Sequence, residues 1–98
     1  MKLCIDTADN KKTVVRLDEV ETVEKYGSPR EQRLLEVIEK VLQKKQVRVE
    51  DITEIEVNLG PGSFTGLRVG CVVANTLSWL LKVPVNGGKP GQCVDPEY

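Results

Sequence analysis

The sequence predicts a mixed α/β fold in the order β-β-β-α-β-α-β. Three features carry that expectation. Apolar runs of strand length open the chain at Lys2–Asp6 and at residues 13–17 and 19–23. A single apolar stripe at helical spacing follows over residues 34–42. A glycine-rich turn then separates another strand-like run from a long uncharged stretch.

The first run ends in Asp6-Thr7, and Ala8-Asp9-Asn10 supplies turn chemistry after it. Residues 19–23 alternate, with Val20 on one face and Glu19 and Glu21 on the other, so Asp18 falls in a hairpin connection. Tyr26-Gly27 breaks the pattern. Ser28-Pro29-Arg30-Glu31 then predicts a helix start: Ser28 caps, Pro29 fits the first helical position and Glu31 completes a capping box. Leu34, Leu35, Ile38, Val41 and Leu42 form the stripe of a helix of about four turns, and Lys44 and Lys45 suit its negative end. Glu50-Asp51-Ile52 predicts a short turn before a strand at 54–59.

A second helix is expected over residues 65–81. Gly66, Gly70 and Ala74 recur at steps of four, which leaves one face nearly bare of side chains and open to close approach by another backbone. Val69, Val72, Val73, Leu77 and Leu80 cover much of the rest. A helix apolar on most sides is buried on most sides, and a small lobe has little material to cover it, which points to a partner. Pro84-Val85 is expected to start a last strand. Residues 1–85 therefore read as one lobe, and the glycine, proline and polar residues of 86–98 as a flexible tail. Three antiparallel strands followed by alternating helix and strand is the ribonuclease H-like plan, which also forms half of the actin-like ATPase fold.

At 98 residues the chain holds one domain with a small core. Its 14 basic and 15 acidic residues give a net charge of −1. There is no global pull toward nucleic acid, so any RNA contact would be local or made by a partner. Cys4, Cys71 and Cys93 lack C-x-x-C spacing and read as reduced thiols of a cytoplasmic protein. The N-terminus lacks a signal pattern, and the uncharged run over 69–81 is too short to span a bilayer. Histidine is absent, which removes the commonest general base and metal ligand.

The loop Gly60, Pro61, Gly62, Ser63, Phe64, Thr65, Gly66 has two readings. It is a cradle whose backbone N–H groups meet an anion, or a tight strand-to-helix corner. It is not a Walker A loop, because Thr65 and Gly66 stand where glycine and lysine are required. It is not the dinucleotide fingerprint either, since the third glycine comes one position late and no acid follows at the expected distance. Spacing favours the corner and leaves anion contact as a secondary feature. Asp6 stands where nucleases and kinases of this plan place a metal-linked carboxylate. The fourth strand, however, ends Asn58-Leu59-Gly60 with no second carboxylate, and Glu36 and Glu39 read as solvated. A turn or cap role is the simpler account of Asp6. Ser63 and Thr65 suit capping better than nucleophilic work, for no base stands near them in sequence. Arg68 either snorkels to water or pairs with an acidic residue across an interface.

Three stretches together, Leu3-Cys4-Ile5-Asp6-Thr7, Arg33-Leu34-Leu35 and residues 60–70, resemble the N-terminal lobe of the TsaB (YeaZ) family of tRNA threonylcarbamoyladenosine biosynthesis. The resemblance covers residues 1–85, and its glycine stretch is highly specific. It implies an actin-like, ribonuclease H-related fold and a non-catalytic role. A TsaB-like subunit supports the transferase TsaD, which the ATPase TsaE joins, and pairs with itself when alone. The two helices form those pairings, which implies interface roles for Leu34, Leu35 and Ile38 on the first helix and for Arg68, Val69, Val72, Asn75 and Thr76 on the second. It further implies no resident cofactor, with ATP or ADP only at a partner interface, contact with tRNA only through partners, and no membrane. The alternative is a nucleotide-binding actin-like enzyme that uses Asp6 and the glycine loop. The chain departs from the family at Arg30-Glu31-Gln32, where members usually carry His-Ser-Glu, and after Val85, where the match ends.

Overall fold

The computed structural model describes residues 1–27 and 33–97. Period-two alternation builds the sheet. Strand β1 (Lys2–Asp6) buries Leu3 and Ile5, β2 (Lys12–Leu17) buries Thr13, Val15 and Leu17, and β3 (Val20–Lys25) turns Thr22 inward. Asp18 closes the β2–β3 hairpin with φ 52, a left-handed conformation that aspartate tolerates. Its Oδ1 also accepts the Lys2 N–H at 3.0 Å, which ties the hairpin to β1.

Helix α1 (Leu34–Lys45) follows, then β4 (Glu54–Val57) and helix α2 (Phe64–Leu81). The sheet order is β3-β2-β1-β4, antiparallel at the first two junctions and parallel between β1 and β4. Helix α1 lies over β2 and β3, α2 lies over β1 and β4, and the helices touch. The core between sheet and helices joins Leu3, Ile5, Val15, Leu17, Ile55 and Val57 to Leu34, Val37, Ile38 and Val41 of α1 and Ala74 of α2. The other sheet face carries Cys4, Val14, Arg16 and Glu56 around an open depression of about 430 Å³. There Lys2 and Glu56 pair at 2.5 Å, and that hydrogen bond holds the Glu56 carboxyl below the usual carboxylate range.

The helix start expected at Ser28–Glu31 lies outside the described residues. As described, α1 has 12 residues, about three turns rather than four. Lys45 pairs with Glu19 at 2.7 Å and Lys40 with Glu24 at 3.1 Å, and Lys44 Nζ donates to the Glu21 carbonyl at 3.2 Å. These exposed contacts orient α1 over the outer strand, and each contributes little energy.

Helix α2 was expected over 65–81 and begins one residue earlier. At 18 residues and mean hydropathy 1.3 it has the length and composition of a membrane span, which the shorter uncharged run lacked. Its packing on β1 and β4 through Gly66, Gly70 and Ala74 explains the same composition as that of a core helix.

One expectation at the C-terminal end is corrected. The last strand shrinks to one parallel bridge between Val85 and Ile55. Just beyond it, the Asn86 side chain accepts the Val57 N–H at 2.8 Å and donates to the Val57 carbonyl at 3.1 Å. One amide thus takes the place of the ladder that a longer strand would have continued. The expected flexible tail has neither helix nor strand over residues 86–97, yet it is pinned to α2 and to Leu59 by hydrogen bonds described below.

Candidate interaction surface

The glycine loop turns the chain from β4 into α2 by using its own N–H groups. Gly60 N–H donates to Asn58 Oδ1 at 2.9 Å, Ser63 N–H to the Ala8 carbonyl at 2.8 Å, and Leu67 N–H to the Ser63 carbonyl at 2.8 Å. Ser63 caps α2, its Oγ accepting the Gly66 N–H at 3.3 Å. Three donors that a phosphate cradle would present, those of Gly60, Ser63 and Gly66, are therefore engaged inside the protein. Replacing Ser63 with alanine is expected to cost about 1 kcal/mol, read as a lowered thermal midpoint, with no change of fold.

Asp6 serves the same corner. Its Oδ1 accepts the Ala8 N–H at 3.0 Å and Asn58 Nδ2–H at 3.2 Å, so the carboxylate joins the end of β1 to the end of β4. Among the described residues no three His, Cys, Asp or Glu side chains gather as a metal site would need. Beneath the corner, Thr7 Oγ1 donates to the Gly66 carbonyl at 2.5 Å from a fully buried position. A side chain on Gly66 would overlap the Thr7 carbonyl oxygen. The nearly bare helix face is thus the seat of α2 on β1.

The residues assigned to the interface separate into three groups. Leu34 and Ile38 are buried in the lobe's own core, and their expected outward orientation is corrected. They share the Val37–Val41 stripe that faces the sheet, whereas Leu35, about a hundred degrees round the helix from Leu34, is 67% exposed. Val69 is half-buried against the core. Asn75 is engaged with the chain's own Val94, donating through Nδ2 and accepting through Oδ1, both at 2.9 Å. Arg68, Val72 and Thr76 remain on the exposed side. The Arg68 guanidinium sits 5.5 Å above the Phe64 ring, and Thr76 Oγ1 donates back to the Val72 carbonyl at 2.7 Å. In the loop, Pro61, Gly62 and Thr65 are exposed, and Gly60 and Ser63 are half-buried.

Sequence reasoning passed over Phe64 and Trp79 and counted Leu80 as cover. They are 56%, 72% and 60% exposed, beside Val72 at 61%. Spacing held the signal: positions 64, 68, 72, 76 and 79 follow one line along a helix. Large apolar groups gathered on one exposed helix face mark a contact surface more often than a solvated one.

A family model described as "TsaD: tRNA N6-adenosine threonylcarbamoyltransferase" matches residues 25–87, well over half of the chain. The chain is 36% identical over 55 residues to the tRNA threonylcarbamoyladenosine biosynthesis protein TsaB of Buchnera aphidicola, a match covering 56% of this chain and 26% of that protein. It is 45% identical over 56 residues to a tRNA N6-adenosine threonylcarbamoyltransferase of Sulfurisphaera tokodaii, covering 54% of this chain and 17% of that one. Among solved structures, YeaZ from Pseudomonas aeruginosa superposes with a TM-score of 0.70 at 27% identity, over 86% of this chain and 42% of that one. The chain thus spans well under half the length of these relatives. It belongs to the family that TsaD and TsaB (YeaZ) share.

Proposed function

We propose that this chain is a non-catalytic partner subunit in tRNA threonylcarbamoyladenosine biosynthesis. It pairs with a TsaD-like transferase through α2 and Leu35 of α1, and with a second copy of itself when alone. The observation that carries this reading is the exposed line of Phe64, Arg68, Val72 and Trp79 on a helix whose opposite face is seated on the sheet. A TsaE-like ATPase joins the pair, tRNA is met only through those partners, and the assembly works in the cytoplasm. The engaged N–H groups of the glycine loop and the double use of Asp6 Oδ1 support a scaffold rather than a nucleotide enzyme.

Val72→Arg tests the surface. Val72 is 61% exposed, so the arginine leaves the lobe folded. In a packed interface the unpaired charge would cost about 3–5 kcal/mol. Light scattering of the chain, alone and mixed with the organism's TsaD-like protein, is expected to show wild type associated and Val72→Arg largely monomeric. Equal masses for the two would remove α2 as the contact.

A further inference from the structure

One flank of α2 is already occupied, by the chain's own C-terminal segment. The paired contacts between Asn75 and Val94 imitate what a neighbouring strand would offer a main-chain amide. Ser78 Oγ accepts the Gly91 N–H at 3.2 Å, and Glu97 N–H donates to the Leu59 carbonyl at 2.6 Å. The Glu97 carbonyl oxygen fills the space where a side chain on Gly60 would begin, and Gly60 holds φ +119 there. Val94 is half-buried against the core. Cys71, one turn before Asn75, is buried, and that burial, reinforced by the charge of Asp95, pushes its thiol up. Among the described residues, the hydrogen bonds that hold residues 89–97 to α2 and Leu59 end on a side chain or a loop carbonyl rather than in a ladder. Segments held in this way open at lower cost than the core.

We propose that residues 89–97 form a strap that competes with the partner for helix α2. The inference rests on the reading of α2 as the pairing surface. With the strap seated, the exposed face of α2 is bounded on one flank by Asn75. With it lifted, the Asn75 amide is free and the surface widens over Cys71 toward Leu67. Strap seating and partner binding then oppose each other, and weakening one strengthens the other.

The test compares the wild-type chain with Asn75→Ala, which removes both Val94 contacts and leaves a good helix former. Alkylation of Cys71 by iodoacetamide, resolved from Cys4 and Cys93 by peptide mass spectrometry, is expected to quicken about tenfold. Self-association followed by sedimentation is expected to tighten by about the same factor. An unchanged Cys71 rate overturns the strap, as does a faster rate with unchanged or weaker association. Val72→Arg separates the two ideas. If it abolishes association while Asn75→Ala brings no gain, the strap alone fails. If association ignores Val72→Arg, the pairing surface itself is wrong, and the competition falls with it.

Discussion

Gly66→Val is expected to leave the chain without a cooperative unfolding transition. The added Cβ would overlap the carbonyl oxygen of Thr7, a buried backbone atom just past the end of β1 that cannot swing aside. Helix α2 would have to lift from β1. The Thr7 hydroxyl would then lose the Gly66 carbonyl, its partner at 2.5 Å, while still buried. Overpacking of this kind costs about 1–3 kcal/mol, and a buried hydroxyl without a partner about as much again. Together these approach the lower end of the roughly 5–15 kcal/mol that holds a domain folded. Gly66→Ala gives a sharper version. Helix propensity alone would make alanine stabilising by about 1 kcal/mol, whereas the close approach to Thr7 makes it destabilising. Circular dichroism melts decide by sign: a raised midpoint for Gly66→Ala would mean that the contact does not govern the seat of the helix.

Ile55→Ala is expected to be nearly as damaging, by about 2–5 kcal/mol in urea unfolding. Ile55 is buried on β4, beside Leu3 of β1 on one side. On the other side its N–H donates to the Pro84 carbonyl at 2.9 Å and its carbonyl accepts the Asn86 N–H at 2.8 Å. The main-chain bonds survive the substitution, so the loss measures packing. It should lower the urea midpoint without changing the slope of the transition. A midpoint within the error of wild type would show that the neighbouring side chains close over the gap.

The strands and both helices were legible because each rests on a local period. Alternation across Lys12–Leu17 and Val20–Lys25, the stripe on α1, and glycines at steps of four on α2 all report which residues share a face. They do not report what lies against that face. Leu34 and Ile38 were assigned outward for this reason, although the lobe covers them itself. Trp79 escaped notice because an aromatic in an apolar helix looks like core until the sheet's position is known. The contacts of the C-terminal segment were not legible, because glycine and proline signal the lack of helix or strand, not the lack of contacts. Nothing local links Asn75 to Val94, 19 residues later. Asn86 is similar, since a single asparagine gives no sign that its amide will stand in for a ladder.

The central place of β1 sets the order in which this lobe is able to form. Its partner on one side, β2, follows at once along the chain. Its partner on the other side is β4, and the helix seated on Thr7 arrives later still, 59 residues along the chain at Gly66. Contacts so distant in sequence demand costly loop closure before they repay it, which slows folding relative to a fold built from neighbours. During synthesis the hairpins and α1 emerge first, with one edge of β1 open until residues 54–85 leave the ribosome. An unpaired central strand is the kind of surface on which nascent chains stick to one another. The first strand made is therefore among the last to be completed.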